Sequence, residues 1–251
     1  MAPAGVELVH RVLFGALKYA VKMEVLHRNA AQAVTPPRIQ RREVQPPSVA
    51  TVSSLLDLAR SEDRPLYPAI RLVAYTAIRR GECLGLHWEN VDLDDGAITI
   101  VLSLVRSTEM GVILEPPKRD SSRRVIDLDQ ATVEVLRQHR VRQMEHRLSL
   151  GQAYVDNGLV FADELGHRMN PMSLTRAVQT LGKRIGESNL TPHDLRHFHA
   201  SVLLQSGQSP VIVSKRLGHS SVSMTLDIYS HLLPGWQKVA ADAFAKAMEQ
   251  G

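Results

Sequence analysis

Residues 191–232 read TPHDLRHFHASVLLQSGQSPVIVSKRLGHSSVSMTLDIYSHL. Three helices are expected here, at about 192–206, 209–217 and 221–231. Thr191 can cap the first, and proline suits the first helical position at Pro192. Gly207 breaks that helix. Gly218 ends the second, and the serines after it start the third. Leu195, Phe198 and Val202 point into a core, whereas His193 and Arg196, three apart, share another face. A helix N-terminus carrying a histidine and an arginine together is suited to a phosphate. A metal reading competes, because His193 and His197 are spaced i, i+4 as in the zinc motif H-E-x-x-H. Asp194 stands at the second position of that motif, and no third ligand is obvious. Tyr229 can be a core aromatic with a satisfied hydroxyl. Its polar neighbours Asp227, Ser230 and His231 are unusual for a deep core position.

Outward from this segment the chain stays mostly helical, with helices expected at about 129–149, 172–186 and 234–249. The pattern changes upstream. Segments 97–105 (AITIVLSLV) and 112–128 are rich in β-branched residues and read as a small sheet, introduced by the turn Asp94-Asp95-Gly96. Before it, helices are expected at about 50–61, 66–80 and 81–88. The fold expected is mainly α with a small antiparallel β-sheet (α+β).

Segment 34–48, VTPPRIQRREVQPPS, carries four prolines and a basic cluster from Arg38 to Arg42. It is expected to be extended, either as a solvated tether or as one that also tracks DNA phosphates. Residues 5–28 read as one amphipathic helix, with Val9, Leu13, Ala16, Leu17 and Ala20 at helical spacing. A lone helix cannot bury its own apolar face. It is therefore expected to belong to a separate domain, and the chain to be a C-terminal part or short form of a longer protein.

Net charge is +4, which is compatible with nucleic acid. Aromatic content of only 4% disfavours binders that stack single-stranded bases. No apolar run approaches the ~20 residues of a membrane span. The single cysteine, Cys83, reads as core packing, and a reducing cytoplasmic setting is expected.

Two further clusters carry charge. In Thr76-Ala77-Ile78-Arg79-Arg80-Gly81-Glu82, Glu82 lies three residues from Arg79 and could hold its guanidinium, or the two could form an ordinary ion pair at a helix end. Lys118 precedes Arg119-Asp120-Ser121-Ser122-Arg123-Arg124-Val125-Ile126, in a turn between two strands. A lysine there is either solvated or reaches into a cleft as a mobile proton donor.

Taken in order, these pieces resemble the tyrosine recombinase or phage integrase family. That family has an arginine in a T-G-x-R-x-x-E context, a lysine on a β-hairpin turn, H-x-x-R, and L-G-H followed about ten residues later by Y-x-H. Arg79, Lys118, His193, Arg196, His219 and Tyr229 stand in the matching places, over about residues 50–250. The family's glycine before the first arginine is Ala77 here. Alanine is small and helix-compatible, so the exchange is expected to be tolerated.

The resemblance implies a division into residues 1–33, the last helix of a core-binding domain, a proline-rich basic linker over 34–50, and a catalytic domain over 51–251. It implies that Tyr229 attacks a phosphodiester to form a 3′-phosphotyrosyl link. Arg79 and Arg196 would clamp the non-bridging oxygens, with Glu82 in support, and His219 would donate a further hydrogen bond. His193 would help accept the tyrosine proton, and Lys118 would protonate the departing 5′ oxygen. No metal, ATP or other cofactor is implied. The partner is double-stranded DNA carrying a recombination site, bound as a tetramer on two synapsed duplexes, with the free chain a possible monomer. Two alternatives stay open: a type IB topoisomerase, and a truncated DNA-binding module without catalysis.

Overall fold

The computed structural model describes residues 3–37, 45–107, 109–116, 123–230 and 236–249. The chain divides into two compact units, Met1–Glu43 and Val44–Gly251. Lys118, His231, the basic cluster 38–42 and residues 232–235 lie outside the described residues.

In the first unit, α1 spans Pro3–Lys22, shorter than the 5–28 expected. It ends because Glu24 turns into the left-handed region, at φ 58°, and Val25 N–H reaches back to the Ala20 carbonyl. Asn29 then caps a single 3-10 turn, Ala30–Ala33, and its Nδ2 donates to the Phe14 carbonyl. That polar side chain folds the connection back onto α1.

The second unit is built around α3 (Tyr67–Thr76), in which Ala69, Ile70, Leu72 and Val73 are fully buried. Around it pack α2 (Val49–Ser61), α4 (Arg80–Leu84), α5 (Gln130–Leu150), α6 (Met172–Arg184) and α7 (Pro192–Gln205). Side-chain caps set several helix starts: Ser48 accepts from Thr51 N, Asp129 from Thr132 N, and Thr191 forms a capping box with Asp194. Residues 191–230 fold into α7, α8 (Pro210–Leu217) and α9 (Val222–Tyr229), and α10 follows over Trp236–Glu249.

The strands form two small antiparallel sheets instead of one. β1 (Val91–Asp92), β2 (Ala97–Ile100) and β5 (Arg124–Asp127) lie in the order β1-β2-β5, with Ile98 opposite Ile126. β3 (Ser103–Ser107) and β4 (Gly111–Glu115) make a separate hairpin, with Val105 opposite Ile113. The expected strand 97–105 therefore breaks after Ile100. Its second half crosses α4 backbone to backbone: a Cβ on Gly81 would lie 2.6 Å from the Leu104 carbonyl oxygen. Only glycine admits that approach.

The expected helix 66–80 is also interrupted. Ala77 caps α3 in the left-handed region, at φ 57° and ψ 23°. It is not a helical alanine, and an L-residue there costs roughly 1 kcal/mol or more. Two contacts offset this strain. The Ala77 methyl is buried with Ala200, Leu204, Val213, Leu217 and Tyr229, and its carbonyl accepts from Arg196. The interruption leaves Arg79 extended as the N-cap of α4. The helix expected at 81–88 likewise stops at Leu84, because Gly85 caps it and His87 bridges to Leu159.

Cys83 is fully buried, and its thiol lies near the Ala69 carbonyl. Among the described residues no helix is long and apolar enough to cross a membrane.

Candidate active site

Three consecutive backbone carbonyls end α8, and each holds a different arginine. Arg124 Nε donates to the Arg216 carbonyl at 2.8 Å, Arg196 Nη2 to that of Leu217 at 2.7 Å, and Arg79 Nη2 to that of Gly218 at 3.0 Å. The last carbonyls of a helix lack intrahelical partners and carry its negative partial charge. They fix three guanidinium groups side by side and offset part of their mutual repulsion.

Gly218 makes the arrangement possible. It turns the chain at φ 65°, and a Cβ there would lie 2.7 Å from Arg124 Nη1. The position needs both the left-handed backbone and the missing side chain.

The two arginines read from the sequence differ in exposure. Arg196 is 3% exposed, its Nη1 donating to the Ala77 carbonyl at 2.5 Å. Burial first, then the charge of Arg79, lowers its pKa to about 9, so it stays protonated at neutral pH. The Arg79 side chain is 43% exposed and available to an incoming anion.

Glu82 sits beneath the pair Arg79 and Arg124. Its Oε1 accepts from Arg79 Nη1 at 2.8 Å and its Oε2 from Arg124 Nη2 at 2.8 Å. It also accepts from Arg79 N–H, so the local backbone and the guanidinium share one anchor. Burial alone would raise this carboxyl, but Arg124 and then Arg79 outweigh it and hold the pKa at about 2. Because the folded value lies below the ordinary 4.5, the stabilisation is complete above about pH 4.5 and is lost as pH falls through about 2. The shift corresponds to something on the order of 3 kcal/mol. Glu82→Gln should therefore unfold at lower urea than the parent chain at pH 6, with the gap narrowing toward pH 3. A gap of constant size over that range would mean the carboxylate charge is not what stabilises.

Tyr229 is 1% exposed, on the small apolar cluster that includes Ala77. Its hydroxyl lies 2.6 Å from Nδ1 of His197. Burial raises the phenol to about 12, against a lowering effect from the nearby Arg196 charge. His193 stacks edge-on against His197, with ring centroids 4.3 Å apart. His219 Nδ1 lies 2.8 Å from Thr225 Oγ1. Burial first, then the charges of Arg196, Arg79 and Arg124, push His219 down to about 4. With one nitrogen on Thr225, the other has no hydrogen-bond partner among the described residues.

Arg79, Glu82, His193, Arg196, His219 and Tyr229 thus surround one site. Lys118 lies outside the described residues, between β4 and β5. Two residues join the site that no short motif marks for it: Arg124, on Glu82, and His197, whose spacing from His193 suggests only a metal ligand. Among the described residues no three His, Cys, Asp or Glu side chains gather as a metal site. What is gathered is positive charge around an embedded phenol, a setting for an anionic, tetrahedral group such as a phosphodiester.

The Phage integrase family model matches residues 49–235. The chain belongs to the phage integrase family. Among similar members, a tyrosine recombinase XerC-like protein of Caldanaerobacter subterraneus subsp. tengcongensis is 32% identical over 178 residues, 66% of this chain and 46% of its own. The ICEBs1 integrase of Bacillus subtilis is 28% identical over 230 residues, 89% of this chain and 60% of its own. This family member therefore spans about half to three fifths of the length of these two curated relatives. Its fold is similar to the Tn1549 transposon integrase in complex with transposon right end DNA, at TM-score 0.77, covering 95% of this chain and 78% of that one; at 20% identity this likeness is one of fold alone. It is also similar to XerA recombinase, at TM-score 0.60 and 27% identity, covering 92% of this chain and 74% of that one.

Proposed function

We propose that this chain is the catalytic part of a site-specific DNA recombinase and that Tyr229 is its nucleophile. The observation that carries the reading is the Tyr229 hydroxyl, held at 2.6 Å by a histidine beside Arg196. A phosphodiester crowding five oxygens around phosphorus needs its negative charge met. Arg79 and Arg196 do this at the non-bridging oxygens, with Glu82 and the end of α8 holding the guanidinium groups in register. His219 donates a further hydrogen bond. His193 lines the site next to the nucleophile's partner. Lys118 protonates the departing 5′ oxygen.

The Tyr229 Oη–P bond forms as the P–O5′ bond breaks, giving a 3′-phosphotyrosyl link. A 5′-hydroxyl from a partner strand then attacks that link, and the strands are exchanged. Residues 51–251 form the catalytic domain in this reading, and residues 1–33 a helix of the preceding core-binding domain, joined by 34–50. The partner is double-stranded DNA, with four subunits on two synapsed duplexes. Support comes from membership of the phage integrase family and from similarity to an integrase solved in complex with DNA.

Nicked duplexes tiled across the DNA flanking the coding region test the proposal. Strand cleavage near a nick releases a short oligonucleotide and traps the protein. A protein–DNA band that survives denaturation is the expected result. Binding with no covalent band on any duplex would leave a DNA-binding module. Relaxation of supercoiled plasmid without strand exchange would make it a topoisomerase.

Cleavage is expected to continue unchanged in excess EDTA. Arginine, histidine and lysine side chains fill each role in charge neutralisation and proton transfer that a divalent ion takes elsewhere. Adduct yield with and without the chelator measures this, and restoration of a lost adduct by magnesium or zinc would overturn it.

A further inference from the structure

The proton of the nucleophile needs a destination. Tyr229 Oη lies 2.6 Å from His197 Nδ1, within range of a short hydrogen bond. We propose that His197 accepts the Tyr229 proton as the bond to phosphorus forms. The inference rests on the reading of Tyr229 as nucleophile and adds a residue to it.

Geometry favours His197 over its neighbour. His193 lies one turn earlier on α7 and contacts the His197 ring edge-on, and it makes no hydrogen bond to Tyr229. The charged and titratable groups facing His197 are His193, Asp194 and Arg196 on α7, Tyr229 on α9, and His219 between α8 and α9. Burial first, then His193 and Arg196, keep the imidazole neutral at physiological pH, against Asp194 alone. A neutral imidazole can offer a lone pair at Nδ1 while Nε2 carries the hydrogen.

The His197 ring stacks edge-on with both His193 and Tyr229, with centroids 4.3 Å and 5.7 Å away, and Ala200 and Leu204 of the same helix share a buried apolar cluster with Tyr229. Before a substrate binds, the two groups would not exchange this proton readily, since burial pushes the phenol up to about 12 and the imidazole down to about 4. The reaction removes that barrier from both sides. An anionic phosphodiester among the arginines raises the basicity of the imidazole, and the forming O–P bond drains basicity from the phenolic oxygen. Transfer therefore belongs to the transition state.

The step balances. The Tyr229 O–H bond breaks and its proton moves to His197 Nδ1. The Oη–P bond forms, the P–O5′ bond breaks, and Lys118 protonates the leaving oxygen. When a 5′-hydroxyl attacks the phosphotyrosyl link, Lys118 takes its proton and His197 returns the other to Tyr229 Oη.

The test compares the parent chain, His197→Asn and Tyr229→Phe on the nicked duplex that traps the parent. Each is also run on the same duplex with sulfur as the bridging 5′ atom. Asparagine places a polar atom near the position of Nδ1 but cannot take up a proton. His197→Asn should form adduct about 10²-fold more slowly at pH 7, in keeping with loss of a general base. The defect should persist with sulfur, which leaves without a proton. It should shrink as pH rises toward the range in which the phenol ionises unaided. Adduct at the parent rate, a defect of equal size at every pH from 7 to 10, or full recovery with sulfur would each overturn the role of His197.

If His197→Asn melts well below the parent, His197→Ala with added imidazole replaces it. Rescue by imidazole supports the role, and no rescue counts against it. A parent chain that never forms adduct, or a Tyr229→Phe variant that still does, would instead overturn the recombinase reading itself.

Discussion

Tyr229→Phe is expected to abolish covalent attachment to DNA while leaving DNA binding nearly intact. The substitution removes one hydroxyl and keeps a ring that is 1% exposed among Ala77, Ala200, Leu204, Val213 and Leu217. Packing is conserved, so the loss to stability should be limited to one hydrogen bond with His197, about 1 kcal/mol. Covalent yield should therefore fall to background while the salt-dependent affinity for duplex is kept. The comparison is a denaturing gel for the adduct beside a native gel for binding. An adduct that persists in the variant would mean that another residue attacks.

Arg196→Ala should slow adduct formation by ~10²-fold or more at saturating DNA, the scale seen when one charge-stabilising donor is removed. Two effects combine. The phosphate loses a cation, and the carbonyls of Ala77 and Leu217 lose the guanidinium that joins the end of α3 to the end of α8. Arg196→Lys separates them. It keeps the charge, but an ammonium lacks the planar fork that spans both carbonyls and still faces an anion. A slow lysine variant with near-parent stability would locate the requirement in the fork. If purified Arg196→Ala cleaves at the parent rate, the clamp assignment fails.

Helix starts and stops were legible because they are local. Thr191-Pro192, Gly207 and Gly218 mark the ends of α7 and α8 to within a residue or two. Breaks that depend on distant partners were not. Ala77 looks helical in isolation, yet it turns left-handed so that its carbonyl can meet Arg196, 119 positions away. Nothing near Ile100 predicts that the strand must divide there; the cause is the crossing over Gly81.

The site residues followed the same rule. Arg79, His193, Arg196, His219 and Tyr229 stand in short patterns that can be read singly. Arg124 was hidden in a basic run, although one signal was available. It alternates with exposed Val125 and shares a face with Ile126, which is 1% exposed. An arginine at a core-facing strand position calls for a buried carboxylate, and Glu82 is that partner. His197 was read for its spacing from His193. Its company lies one and two turns onward, with Ala200, Ser201 and Leu204 on the face that receives Tyr229.

Tyr229 is the side chain expected to become joined to DNA. Trypsin cutting after Arg216 and Lys238 releases Leu217–Lys238, a peptide in which Tyr229 is the sole tyrosine. Mass spectrometry of the trapped adduct, after nuclease trimming, should find this peptide carrying one nucleotide through a 3′ phosphate on Tyr229. Attachment at any other side chain, or an unmodified Leu217–Lys238 peptide in material that is fully cross-linked, would contradict the account.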